Sequence, residues 1–339
     1  MARGWRQREK EVIMSKRCRW SKDCCSGLLA FLLVACGGPS REPLEPGVSP
    51  LRPGAARQTT VVEDPGKDDV HDPVQAALDE GLIAAAKEGR WIAILGAMDD
   101  GADGESLVGV AGITDLHVAC LDGNLDEVEQ LVEQGADVSV STDRNETPLH
   151  MAALSGAVDV VTFLMDEGAD VAAVDHDDRS VLHWAILGGW VEIVKYLVNV
   201  KYVPATFDPS GVYPPLVASI QSGNLETVKF LISKGANATL ADADGVTPLH
   251  HAAECNELEI ATFLVSKGAK ASARDDAGKT SLHVLAMDCQ SGESCLVLAK
   301  FLVKKGAKMS SVDADGKTAW DYAEVRGDEE MISFLAGGK

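Results

Sequence analysis

Apolar residues in this chain recur as pairs of short helical runs. Leu149, Ala152 and Ala153 share one face of a helix, Gly156 ends it, and Val160, Val161, Phe163 and Leu164 form the apolar stripe of a second helix that Gly168 closes with a left-handed cap. Thr147 is placed to cap the first helix and Pro148 to begin it, where a missing N–H costs nothing. Paired alanines let neighbouring helices approach closely. An Asp-rich stretch such as Asp242-Ala243-Asp244-Gly245 then turns the chain back as a hairpin-like loop. The pattern predicts helix, helix, turn.

The phrase Thr147-Pro148-Leu149-His150 returns intact at Thr247 to His250, and altered at Thr114 to His117, Ser180 to His183, Pro214 to Val217 and Thr280 to His283. The central leucines, 116, 149, 182, 216, 249 and 282, stand 33 or 34 residues apart. Each period is therefore one supersecondary unit that buries its apolar face by stacking on its neighbours. Leu82-Ile83-Ala84-Ala85-Ala86, Gly89 and Gly101-Ala102-Asp103 keep the same offsets without the Thr-Pro start, which makes residues 74–107 an atypical first unit expected to cap the stack. Thr318-Ala319-Trp320-Asp321 opens the last.

Thr-Pro-Leu-His, the glycine between helices, the Gly-Ala-Asp or Gly-Ala-Asn after them and the 33-residue period together resemble ankyrin repeats. The fold this implies is an all-α ankyrin-repeat solenoid of about eight helix-turn-helix repeats with hairpin-like loops. The repeats centre on Leu82, Leu116, Leu149, Leu182, Leu216, Leu249, Leu282 and Trp320 and cover residues 74–339. At about 10 Å per packed helix layer, the slab is roughly 80 Å long. The resemblance speaks for the fold and says little about function. It implies that His117, His150, His183, His250 and His283 hydrogen-bond between the backbones of adjacent units. Their spacing by a whole unit already sets them too far apart to share a metal ion. It also implies that partners meet the hairpin tips and the two residues before each interhelix glycine. There Leu121, Leu154 and Leu187 read as an apolar strip, Phe207 and Tyr213 lie at its end, and Glu254 holds the position in the sixth unit. The other reading packs these leucines partly under the hairpins.

Two units depart from the pattern. The fourth has Lys201-Tyr202-Val203 where Gly-Ala-Asp belongs and runs on irregularly through Phe207 to Tyr213-Pro214-Pro215, with Trp190 one helix away. In the seventh the interhelix turn is five residues longer than in its neighbours, and Cys289 and Cys295 flank the excess. A bridge between them closes a seven-residue ring, worth roughly 2 kcal/mol by chain entropy. Cys255 is a rival partner for Cys289. Cys120 stands in the second alanine position and is expected buried and unpaired.

Ahead of the repeats, Lys16, Arg17, Arg19 and Lys22 precede the apolar run Gly27 to Ala35, too short to cross a bilayer but suited to a signal-peptide core. Leu33-Val34-Ala35-Cys36 resembles a bacterial lipobox, which implies a lipoprotein signal peptide over residues 1–35 and acyl chains on Cys36, with Met14 a more usual start than Met1. An ordinary signal peptide, or no export, is the alternative. By the same resemblance, Gly37 after the cysteine favours the outer membrane over the inner, facing the periplasm or the cell surface. Residues 36–73 read as a Pro/Gly-rich flexible tether, since residues 37–73 hold seven of the chain's 13 prolines.

Charge narrows the partners. The net charge is -21 although residues 1–35 carry eight Lys/Arg against three Asp/Glu. Such a chain repels phosphate backbones, which argues against nucleic acid and limits membrane contact to the lipid anchor. Gly278-Lys279-Thr280 lacks the earlier glycine of a phosphate loop, Ala273 standing there, and Asp242-Ala243-Asp244-Gly245 lacks the glutamate of a calcium loop, His251 standing there. No catalytic residues, metal site or cofactor are expected. The reading is a monomeric, non-enzymatic scaffold that binds a basic or mixed-charge protein in the cell envelope. Neutralisation of a toxic envelope enzyme, or an accessory role in envelope stress defence, stand as alternatives.

Overall fold

The computed structural model describes residues 81–99, 102–201, 203–206, 213–289 and 293–337. Cys36, Phe207 and the segments read as signal peptide and tether lie outside them. The described chain is a file of helix pairs. Unit one holds α1 (residues 81–87) and α2 (Trp91–Asp99), and a 3-10 turn, Gly104–Leu107, leads to α3 (Asp115–Asp122) and α4 (Leu125–Glu133) of unit two. Units three to five follow as α5 (Pro148–Ser155) with α6 (Val158–Asp166), α7 (Val181–Leu187) with α8 (Val191–Asn199), and α9 (Pro215–Gln221) with α10 (Leu225–Ser233). Units six to eight are α11 (Pro248–Glu254) with α12 (Leu258–Ser266), α13 (Ser281–Asp288) with α14 (Glu293–Lys304), and α15 (Ala319–Arg326) with α16 (Glu329–Ala336). Among the described residues there is no β-strand, only one isolated bridge between Val174 and Ser180, and no helix is long and apolar enough to cross a membrane.

From α3 to α15 each first helix packs on the first helix of the next unit and on its own unit's second helix. Ala119, Ala152, Ala185 and Ala252, all buried, permit the close approach. The interhelix turn needs left-handed backbone: Gly156 sits at φ 91°, and in unit six Asn256 takes the conformation at φ 57°.

A capping histidine joins the units. In α5 the His150 Nδ1 accepts from the Thr147 hydroxyl at 2.9 Å and the Thr147 N–H at 3.2 Å, and the same box recurs at Thr114, Ser180, Thr247 and Thr280. An accepting Nδ1 leaves the proton on Nε2, which is then a donor. His117 donates to the Glu146 carbonyl at 3.1 Å, His183 to Tyr213 at 2.7 Å, His250 to Lys279 at 3.3 Å and His283 to Ser311 at 3.0 Å, each in the hairpin leading to the next unit. The bridging role that the resemblance implied is thus present in these four joints. In unit five Pro214 and Val217 replace the pair, and in unit eight Asp321 takes over the box.

Unit seven uses its surplus residues for an extra turn of helix, since α14 has 12 residues where α12 has nine. A disulfide joins Cys289 to Cys295, and Cys255 is not part of it. Cys120 is buried, and burial pushes its thiol pKa up.

Unit one departs from its expected stacking. A residue on the second helix of unit one and one on the first helix of unit four would lie about 30 Å apart in a regular file. The rings of Trp91 and Trp184 instead have centroids 6.4 Å apart. The helix pair keeps the length of a repeat, but α2 is laid along the mouth of units two to four.

The joints make stability depend on pH. Burial holds His117 and His150 neutral, with pKa lowered from 6.5 to about 4, and burial also lowers His250 and His283. A depressed imidazole pKa stabilises the fold fully above the unfolded value and loses that contribution as pH falls through the folded one. The urea midpoint should therefore hold from pH 8 to 7 and decline from about pH 6.5 to 4. His117→Gln should lower it at pH 7 and remove about 3 kcal/mol of that pH dependence, counting about 1.4 kcal/mol per unit.

Candidate interaction groove

The mouth between first helices and hairpins is floored in units two to four by Val118, Met151 and Trp184, each the residue after a capping histidine. Helical spacing aims this position away from the stacked core and towards the unit's own hairpin. Trp184 donates its indole N–H to the Asp175 Oδ2 at 2.8 Å. The imidazole of His150 meets the same indole edge-on at 5.3 Å, and the Arg179 guanidinium lies 5.8 Å from its ring centre.

A charged lattice supports the floor. Asp175, 3 % exposed, accepts from the Arg179 Nε at 2.8 Å and from the Arg179 N–H at 2.8 Å. Arg179 reaches on to Asp177 at 2.8 Å, and Arg144 of the preceding hairpin meets the same carboxylate at 3.1 Å. Two hairpins are thereby locked together, with the His176 N–H donating to the Arg144 carbonyl at 2.8 Å as the backbone tie.

Over this floor lies α2. Its Trp91 indole N–H donates to the Glu146 Oε1 at 2.8 Å, and the Thr142 hydroxyl donates to the other oxygen at 2.5 Å. Glu146 is 1 % exposed, and burial raises its pKa against the lowering effect of those two hydrogen bonds and of Arg144. Before α2, the backbone at Gly89 passes so near Arg144 that a Cβ there would lie 2.5 Å from its Nε. At the far end of the helix, Met98 and Val118 both close on Gly104. The helix thus runs from the joint of units three and four back to unit two. Trp91, Ile94 and Ala97, one face of α2, are buried, with Ile94 fully enclosed.

The structure corrects the apolar strip at two of its three leucines. Leu121 and Leu154 are each 1 % exposed and belong to the core that also holds Leu82, Trp91 and Ile94, so they present nothing to a partner. At the same register Leu187, Gln221, Glu254 and Met287 are half-buried and Val325 is 87 % exposed. Burial at this register is thus complete in units two and three, partial in units four to seven and lost in unit eight. Trp190 closes the adjoining edge, its indole stacked over Gly156 and its N–H donating to the Leu154 carbonyl at 2.6 Å. Tyr213 stacks on His183 at 5.7 Å and donates to the Gln221 Oε1 at 2.6 Å, while Glu254 lies 3.3 Å from His251. Sequence reasoning missed Trp91, Glu146, Asp175, Arg179 and Trp184. The available signal was Glu146 before Thr147, a carboxylate at a position held elsewhere by Ile113, Tyr213 and Val246 or by the cations Arg179, Lys279 and Lys317.

Next to the groove an open cleft of about 360 Å³ is lined by Glu105, Val108, Asp115, Val118 and Glu127. It belongs to a strongly acidic end. Residues 81–200 carry five Lys/Arg against 22 Asp/Glu, and residues 201–339 carry 14 against 18. Asp126, Glu127, Glu129 and Glu133 are exposed on α4, whereas α14 exposes Lys300 and Lys304, with Lys305 just beyond it. Among the described residues no group of His, Cys, Asp and Glu is arranged to hold a metal ion.

A family model described as ankyrin repeats in three copies matches residues 82–175, 116–208, 172–242 and 206–275. The structure is similar to the human ASB11 ankyrin repeat domain, with 25 % identity, a TM-score of 0.57, and cover of 66 % of this chain and 98 % of that one. It is also similar to the ankyrin repeat domain of Bcl-3, a unique member of the IkappaB protein family, with 27 % identity, a TM-score of 0.50, and cover of 67 % and 99 %. No curated protein matches the chain.

The Trp190 lid on the turn can be measured by a double-mutant cycle. Gly156→Ala should destabilise the fold by about 2 kcal/mol, from the left-handed backbone and the overlap with the indole. In a Trp190→Ala background the same change should cost about 1 kcal/mol, because only the backbone penalty remains. Equal costs in urea titrations of both backgrounds would remove the indole from the account.

Proposed function

The chain belongs to the ankyrin-repeat family, and from that premise we propose that it is a non-enzymatic scaffold that captures a basic or mixed-charge protein in a bacterial cell envelope. Ankyrin repeats commonly bind protein partners, and the fold supports a protein-interaction scaffold. The observation that carries the finer reading is the one-sided charge of the file. Exposed carboxylates crowd α4, the edge of α6 and the cleft beside α3, at the same end as the groove. A field of one sign raises the encounter rate with a partner of opposite charge and repels acidic competitors.

On this reading Cys36 carries acyl chains, residues 36–73 are the tether, and the repeats stand off the membrane as a monomer that recruits its partner. More than one acyl chain is needed for lasting attachment, because a single chain gives marginal, reversible binding. On the same reading the half-buried Leu187, Tyr213 and Glu254 lie along the C-terminal continuation of the groove, where a partner would meet them.

Two measurements test the proposal. Cys36→Ser should move the protein from the membrane to the soluble fraction, and continued membrane fractionation would sink the lipid anchor. Cross-linking in the envelope should capture a basic or mixed-charge protein, and reversing Glu127, Glu129 and Glu133 to lysine should lower the yield at least about tenfold, as should raising salt. Capture insensitive to both changes overturns the acidic-face reading.

A further inference from the structure

We infer that the groove of units two to four is a binding site for an apolar helix, now filled in cis by α2, and that an external helix with the same anchors takes its place. The inference deepens the proposed scaffold by naming what its groove accepts. Three observations on the groove carry it.

The first is the manner of seating. α2 lies across three units rather than on the face of one, with Trp91 at Glu146 and Trp184 and Met98 at Val118. This is the geometry of a helix in a groove, read through anchors at i, i+3 and i+7: Trp91, Ile94 and Met98. The second is that the floor is complete without its cover. Trp184 is satisfied by Asp175, Asp175 by Arg179, and Arg179 and Arg144 by Asp177, all within units three and four and their hairpins. Removing α2 breaks the Trp91–Glu146 bond but leaves those bonds in place. The third is the cost of keeping Glu146 covered. Its carboxylate is enclosed beside an Arg144 contact of only 3.5 Å, so uncovering it restores hydration and offsets part of the lost apolar contact.

The ligand chemistry follows from the occupant. It is a helix with an aromatic N–H donor, or a Lys or Arg, at the position of Trp91, to meet Glu146. An isoleucine or leucine three residues on and a flexible apolar side chain such as Met four further complete the set. A basic flank would also gain from the acidic cleft beside Val118.

The probe is a labelled synthetic peptide of residues 87–103, added to the full chain. Against wild type it should bind at least about tenfold more weakly than against Trp91→Glu or the milder Trp91→Ala, because the cis helix competes at high effective concentration. The same peptide with alanine at its Trp91 position should lose binding to all three proteins. Equal affinity for wild type and a variant whose circular dichroism is unchanged overturns the inference. Hydrogen exchange on unaltered wild type supplies a readout that no misfolded variant can confuse. Amides of residues 92–98 should exchange at least about tenfold faster than those of residues 151–154, through local opening. Exchange of both segments only by global unfolding overturns the inference equally. Neither readout uses the envelope partner, so failure here leaves the cross-linking result standing, and the reverse holds.

Discussion

A neutral imidazole at the joint between units is the interaction on which the rest of this molecule depends. It accepts twice from the threonine that caps its own helix and donates once to the carbonyl of the hairpin leading to the next unit, as at Thr114, His117 and Glu146. A single ring thereby fixes a helix start and the spacing of two units. The ring can do this only uncharged, since a protonated Nδ1 could no longer accept, and burial keeps it so. In a file where each unit touches only its neighbours, stability is close to a sum over such joints. The joint into unit five shows what happens at the margin. Unit five has no capping histidine of its own, and Tyr213 compensates by offering its carbonyl to His183, its ring to the same imidazole and its hydroxyl to Gln221. Tyr213, which the sequence suggested as a surface anchor, is therefore partly committed to the joint.

The groove is organised by a different logic. Its floor is a chain of charges and indoles that runs sideways across two hairpins, and each buried charge has a hydrogen-bonding partner, as buried charges require. Arg144 and Arg179 share Asp177, so the floor is stiffened between units three and four, where the buried His150 Nε2 has no hydrogen-bonding partner of its own among the described residues. A rigid floor suits a helix docked from outside, because no floor residue has to be ordered on docking. The cover, by contrast, is apolar on most sides: Trp91 to Met98 contains no charged residue. Such a helix needs burial somewhere, and the nearest apolar surface is the row of Val118, Met151 and Trp184.

What could be read from the chain follows the range of the physics involved. Thr147, Pro148, His150, Gly156 and Gly168 announced caps, starts and ends through interactions within a few residues, and the period announced the stacking, because every unit repeats the same local solution. The unit-to-unit reach of the histidine came from resemblance and is present in the structure at His117, His183, His250 and His283, but not at His150, whose buried Nε2 has no hydrogen-bonding partner among the described residues. Which of the two readings of Leu121 and Leu154 holds, exposed strip or buried, was not legible, because the local pattern is the same for both. Nor was the seat of α2. Its sequence has the length and spacing of an ordinary second helix, and the offsets that mark unit one are kept whether the pair stacks or folds over the groove. The preference between these seatings rests on contacts 55 and 93 residues distant, from Trp91 to Glu146 and to Trp184, which no local pattern encodes.

The charge distribution ties the groove to the surface around it. With 22 acidic against five basic residues over positions 81–200, the first half of the file repels itself, and two of those five bases, Arg144 and Arg179, are spent inside the floor. Exposed carboxylates on α4 are left with few neighbours of opposite sign, and salt at physiological strength screens them only beyond about 8 Å. An apolar cis helix relieves none of that repulsion. A partner helix with apolar anchors and basic flanks would fill the same volume and also neutralise the carboxylates at its rim. Differential binding of this kind is what lets an external ligand displace an internal one despite the advantage of the tether. The acidic rim and the apolar seat therefore select for the same class of partner, and the cis helix, which satisfies only the seat, sets the threshold that partner has to exceed.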